Sequence, residues 1–149
     1  MEPPVNLYTE RTIQQLNAYE ENLWFHLERV PQLGPEVGKA VLSGFLEQAC
    51  QAQHIGNIEI GRYGILAIPR EWVLQHIEDL AESLLQTEDE WEYRRLFEVY
   101  YSLDKTLARK RALRAISNLN PDIKEAGKDF LEQLDREASM NWKVKGIAP

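Results

Sequence analysis

The sequence predicts an all-α fold of about six helices in an antiparallel or orthogonal bundle, or in a short layered array. Three observations predict it. Apolar residues recur at three- and four-residue spacing through most of the chain. Prolines, glycines and capping residues punctuate it at intervals of helix length. Strand-like alternation is confined to one interval, about residues 57–68. At 149 residues the chain has the size of one domain, taken as residues 1–138 with a C-terminal tail over 139–149. Its 44% hydrophobic and 28% charged residues exclude a disordered or low-complexity chain.

Thr9 is placed to cap a first helix running to about Val30, where Pro31, Gly34 and Pro35 stop it and start another. The second helix extends from about Pro35 to His54. Gly56 stands just past that end, where a residue free to turn left-handed is favoured. The stretch NIEIGRYGILAI then reads either as a two-strand β-hairpin or as a long packed loop, with Gly61 and Gly64 at its tip. Pro69 opens a helix to about Gln86, its apolar side made by Val73, Ile77, Leu80, Ala81 and Leu84. Thr87 and Glu90 have capping-box spacing for a helix to about Leu103, with Tyr93, Leu96, Phe97 and Tyr100 on one stripe. Asp104 caps the next, to about Leu119, whose core face is Ala108, Ala112, Ala115, Ile116 and Leu119. Asn120 and Pro121 start the last, ending near Ala138. Short connections favour antiparallel neighbours.

Two segments of this C-terminal part share a pattern. Residues 108–119 read ARKRALRAISNL and residues 123–134 read IKEAGKDFLEQL. Ala108, Arg109, Ala112, Ile116 and Leu119 in one match Ile123, Lys124, Gly127, Leu131 and Leu134 in the other. The pattern resembles the inner helix of HEAT-like α-helical repeats. The copies stand 15 residues apart, whereas a HEAT-like unit returns after roughly 30 to 45, so the spacing departs from the family. What the resemblance implies is a layered scaffold that binds other macromolecules and carries out no reaction.

The residues offer little chemistry. Glu47, Cys50 and His54 share a side of the second predicted helix but fall short of four zinc ligands, and His26 and His76 stand elsewhere without metal spacing. Cys50 with His54 lacks an oxyanion site and a third orienting group. No phosphate-cradling glycine loop is present, so no catalytic residue, metal or cofactor is assigned. Glu20 falls among Ile13, Leu16, Leu23, Trp24 and Leu27 on the predicted apolar stripe, where a carboxylate needs a partner. An ion pair with an arginine, a hydrogen bond to Trp24 or a tyrosine, or exposure at a gap in the bundle is the preferred explanation. A tuned acid is the enzymatic alternative, without the Glu-x-x-His pairs of a di-iron bundle.

Charge carries the functional expectation. Seventeen basic and 24 acidic residues give a net charge of −7, which disfavours nucleic acid and anionic lipid and favours a basic or neutral partner, although a local basic face can override that average. The lone Cys50, the absence of a leader-like opening and the lack of a long apolar run point to a cytoplasmic protein away from membranes. Eight acidic residues and no Lys or Arg lie between Glu71 and Glu92, and five basic residues without an acidic one between Lys105 and Arg114. Lys110, Arg111 and Arg114 are expected together on the solvent side of their helix. Trp91 beside Arg95, and Trp142 in the tail, are candidate aromatic anchors. Arg62 and Tyr63, at the glycine-bounded tip, form the second candidate site. These features predict a non-enzymatic module that binds another protein, in an oligomeric state left open. The alternatives are a small acidic antagonist, of the immunity-protein type, contacting a basic protein through Glu71–Glu92; an enzyme built on Glu20; and an RNA binder using residues 105–114.

Overall fold

The computed structural model describes residues 1–85 and 89–144, with side chains as far as Met140. Among the described residues there is no strand. Seven α-helices and two 3-10 segments replace the expected six helices: α1 (Thr9–Asn17), 3-10 segments Leu23–Phe25 and Leu27–Leu33, α2 (Pro35–Cys50), α3 (Ile55–Ala67), α4 (Arg70–Leu84), α5 (Glu90–Leu103), α6 (Lys105–Ala115) and α7 (Pro121–Val144). They divide into two compact units, Met1–Thr87 and Glu88–Pro149.

In the first unit, Thr9 is the first residue of α1 and Tyr8 occupies the cap position. The Thr9 hydroxyl instead ties the N-terminal segment, accepting the Asn6 N–H at 2.9 Å and donating to the Pro4 carbonyl at 3.0 Å. The helix expected to reach Val30 stops at Asn17. Asn17 Oδ1 accepts the backbone N–H of Asn22 at 2.9 Å, and Asn22 takes a left-handed φ of 62° that Asn tolerates. That side-chain competitor for the backbone ends the helix and turns the chain into the 3-10 segments. They bury Leu23, Trp24, Leu27 and Val30.

α2 also ends early, at Cys50 rather than His54. Gly56 consequently lies in the first turn of α3, where a Cβ would come within 2.9 Å of the Tyr8 ring. The interval expected as a hairpin or loop is α3 itself. A Cβ on Gly61 would meet the backbone of Ala49 and stand 2.5 Å from the Phe45 carbonyl oxygen; one on Gly64 would stand 2.5 Å from the Phe45 ring. Gly61 therefore lets α2 and α3 pack main chain to main chain, and Gly64 makes room for the Phe45 ring. Ile58, Ile60 and Ile65 are all buried, so α3 lacks the one-sided stripe that would reveal it as a helix. α4 buries Val73, Ile77 and Ala81 and packs on α2, where Gly38 makes room for the Trp72 ring.

In the second unit, Asp89 caps α5 by accepting the Glu92 N–H at 2.9 Å; Thr87 of the expected capping box lies outside the described residues. Asp104 caps α6 through the Thr106 N–H at 2.8 Å, and Asn120 accepts the Asp122 N–H at 3.0 Å where α7 starts. α6 ends at Ala115, because Ser117 and Asn118 donate to the carbonyls of Arg114 and Ala115 in a tighter turn. Leu119, expected on the core face, is therefore carried off the helix and is fully exposed. α7 continues beyond Ala138 to Val144. The core is the stripe expected on α5: Tyr93, Leu96, Phe97 and Tyr100 are buried, with Phe97 stacked on Phe130 at 3.6 Å. Arg109–Asp135 at 2.8 Å and Lys105–Glu137 at 3.4 Å mark an antiparallel pairing of α6 with α7. No helix among the described residues is long and apolar enough to cross a membrane.

Candidate interaction surface

α6 presents two different faces. Leu107, Ala108, Arg111, Ala112 and Ala115 are turned inward. On the outside, Thr106, Arg109, Lys110, Leu113, Arg114 and Ser117 line a shallow depression of about 690 Å³. Lys110 and Arg114, four residues apart and both exposed, stand on one side of the helix as neighbours. Leu113 lies with them at 49% exposure, so the depression has an aliphatic patch within a cationic surround. Arg109 is drawn toward α7 by its ion pair with Asp135.

Arg111 does not belong to this surface. Its angular position falls inside the Ala108–Ala112–Ala115 stripe, and only 9% of it is exposed. Its guanidinium carbon sits 5.1 Å from the Tyr93 ring centroid, and the Tyr93 hydroxyl donates to the Arg111 carbonyl at 2.9 Å. Burial pushes the Tyr93 phenol up to about 12, against the opposing pull of the Arg111 and Arg114 charges. Arg111 is thus a core cation over an aromatic face.

No family model, curated protein or solved structure matches the chain.

Trp91 is 68% exposed on α5, with Arg95 half-buried one turn on, but Trp91 does not line the α6 depression. Trp142 falls within α7 and its side chain lies outside the described residues. Arg62 and Tyr63 belong to the first unit. The exposed tip proposed for them does not exist, because Gly61 and Gly64 are buried in a helix–helix contact. Both side chains are half-buried on α3, and the Tyr63 ring packs 5.1 Å from Trp24. Of the predicted residues, Lys110 and Arg114 come together. Leu113 was missed, although its place off the alanine stripe and one residue before Arg114 signals it.

Glu20 leaves the apolar stripe because α1 ends before it. Arg29 grips its carboxylate with both arms, Nε to Oε2 at 2.8 Å and Nη2 to Oε1 at 2.7 Å. That hydrogen bonding holds the Glu20 carboxyl below its ordinary value, against the opposing effect of burial. An ionised, clasped carboxylate is the opposite of a proton-holding acid. Cys50 is buried, Glu47 is exposed, and His54 stacks on Tyr8 at 5.7 Å in the turn before α3. Among the described residues no three His, Cys, Asp or Glu side chains converge on a metal position.

Proposed function

We propose that this protein is a non-enzymatic interaction module of the cytoplasm that binds an acidic protein partner through the outer face of α6. The observation that carries the reading is the exposed Leu113 in company with the exposed Lys110 and Arg114, on a helix whose other face is committed to the core. Burial of Leu113 would supply affinity. The two cations would set orientation and speed encounter with a negatively charged partner. Trp91 is a second point of contact, being an exposed aromatic of the kind interfaces favour. Of the two copies of the HEAT-like pattern, the second lies within α7, whereas the first starts on α6 and runs past its end at Ala115, leaving its final Leu119 exposed.

The test is affinity capture from the native cell at moderate salt, using the wild-type chain and a Lys110→Glu/Arg114→Glu variant. Loss of the captured partner in the variant, with an unchanged melting curve, supports the reading. A partner retained by that variant but lost on reversing Asp89 and Glu92 would instead favour the acidic antagonist. Asp89 already caps α5, and Glu90 is held by Arg94 at 3.0 Å, so part of the acidic stretch is engaged within its own unit.

A further inference from the structure

A groove of about 810 Å³ runs between α1 and α2 in the first unit, far in sequence from α6. Its floor is apolar, with Leu16, Val41 and Phe45 all buried. Its walls carry side-chain amides. Gln48 Nε2 donates to the Thr12 hydroxyl at 3.1 Å, and Gln51 Nε2 donates to the Leu84 carbonyl at 3.3 Å. Each tether fixes the orientation of an amide on the wall, and Gln15 and Asn57 add two more. Side-chain amides offer the same donor and acceptor groups as a peptide bond. The charged lining residues are Arg11 and Glu47, which cancel, so the groove does not select for charge.

Gly44 supplies the second argument. Glycine is the poorest helix former after proline, and a fold that keeps it inside a helix needs a reason. Gly38, Gly61, Gly64 and Gly127 have one, since a Cβ on each would collide with a neighbour. At Gly44 a Cβ would meet nothing within 4 Å. It borders the groove, and what its missing side chain preserves is the space in it.

The surroundings select the occupant. Tyr8 and Asn57 line the groove, and near them in the chain, outside the lining itself, Val5, Leu7 and Ile55 are 89%, 88% and 74% exposed. Asn6 Nδ2 donates to the Gly56 carbonyl at 3.0 Å and holds these two segments side by side. A free sugar or other small polar compound leaves those aliphatic side chains without a role. From Ala40 to Gln51 the α2 wall spans roughly 16 Å, room for about five residues of extended chain. We propose that this groove binds an extended, uncharged segment of another polypeptide. The backbone of that segment would lie along the amides, with an aliphatic side chain against Val5, Leu7 and Ile55.

The test is selection of a displayed library of random short peptides on the full chain, followed by titration of the enriched peptides. The expected result is uncharged sequences with an aliphatic residue, whose affinity falls about tenfold or more in Gly44→Trp and is insensitive to added salt. Gly44→Trp fills the groove where the structure leaves open space; Gln48→Glu, which puts a charge on the wall, serves if the first variant does not fold. The proposal is overturned by no enrichment, by enriched peptides that bind Gly44→Trp equally, by preferential binding of methyl glycosides, or by a dimer of this chain that Gly44→Trp dissolves. Acidic, salt-sensitive peptides lost in Lys110→Glu/Arg114→Glu would support the α6 reading and overturn this one.

Discussion

In the unit of α1 to α4, the closest helix contact is made by main chain: Gly61 and Gly64 bring α3 against the backbone of Phe45 and Ala49 and against the Phe45 ring. In the unit of α5 to α7, side chains carry more of the packing. Phe97 and Phe130 stack nearly parallel, Arg111 lies over Tyr93, Tyr101 donates to Glu137, and Asp89 and Asp104 cap their helices. The contrast is not absolute, because Gly127 admits Ala115 and the Ala112 carbonyl at the α6–α7 contact. The difference lies in what fails on mutation. Where side chains fill the core, removing atoms is damaging; where backbones touch, adding them is.

The largest effect expected from that contrast is Phe97→Ala. It removes a fully buried ring and its stacking partner's contact, and should destabilise the α5–α7 unit by about 3 to 5 kcal/mol, read as lost hydrogen-exchange protection of its helices. Next comes Gly61→Leu. The new side chain would meet backbone that cannot rotate away, so a loss of about 3 kcal/mol is expected in the α1–α4 unit. Gly44→Ala is the control on the same helix pair, and thermal unfolding should show it more stable by up to about 1 kcal/mol. If Gly61→Leu and Gly44→Ala behave alike, the glycines of α3 are not packing residues and the two units do not differ in this respect.

The same contrast explains what could be read in the sequence. Helix starts at Asp104 and Asn120, and the stripe of Tyr93, Leu96, Phe97 and Tyr100, are local signals, and the second unit follows them closely. In the first unit the decisive partners are distant in sequence. Gly61 and Gly64 look like turn residues until Phe45 is known to lie against them, and burial of Ile58, Ile60 and Ile65 imitates a strand interval. Asn17 ends α1 through one hydrogen bond to Asn22, which no apolar period records. For the candidate site, Lys110 and Arg114 were legible from charge and helical phase. Arg111 was misplaced because charge outweighed phase: its position in the alanine stripe was available, and the Tyr93 ring that receives it was not.

Tyr93 gives the α5–α7 unit its own dependence on pH. Its phenol stays protonated in the folded protein up to about 12, against an ordinary value of 10, because the side chain is buried. Between those values the unfolded chain releases a proton that the folded chain retains. A raised folded value therefore gives a contribution fully present below pH 10 and lost as pH rises toward 12. Denaturant midpoints across that range should fall more steeply for the wild type than for Tyr93→Phe, and tyrosinate absorbance should show one late-titrating phenol that the variant lacks. Equal slopes would mean that Tyr93 is hydrated and that Arg111 does not close over it.

The smallest effect belongs to Glu20 and Arg29. Their two-armed geometry is good, yet both side chains remain partly in water, where screening leaves an ion pair little net stabilising power. The Glu20 carboxyl is held below its ordinary 4.5, mainly by the Arg29 hydrogen bond and helped by the Arg29 and His26 charges. A lowered value places the pair's contribution above pH 4.5 and removes it as pH falls. Arg29→Ala should return the Glu20 titration, followed by its carboxyl chemical shift, toward 4.5 while leaving the neutral-pH melting curve nearly unchanged. A large drop in melting would show instead that the clasp, and not the Asn17–Asn22 hydrogen bond, shapes the turn after α1. The unit closed by backbone contact would then depend on a side-chain pair at its edge, which is where the distinction between the two units would first give way.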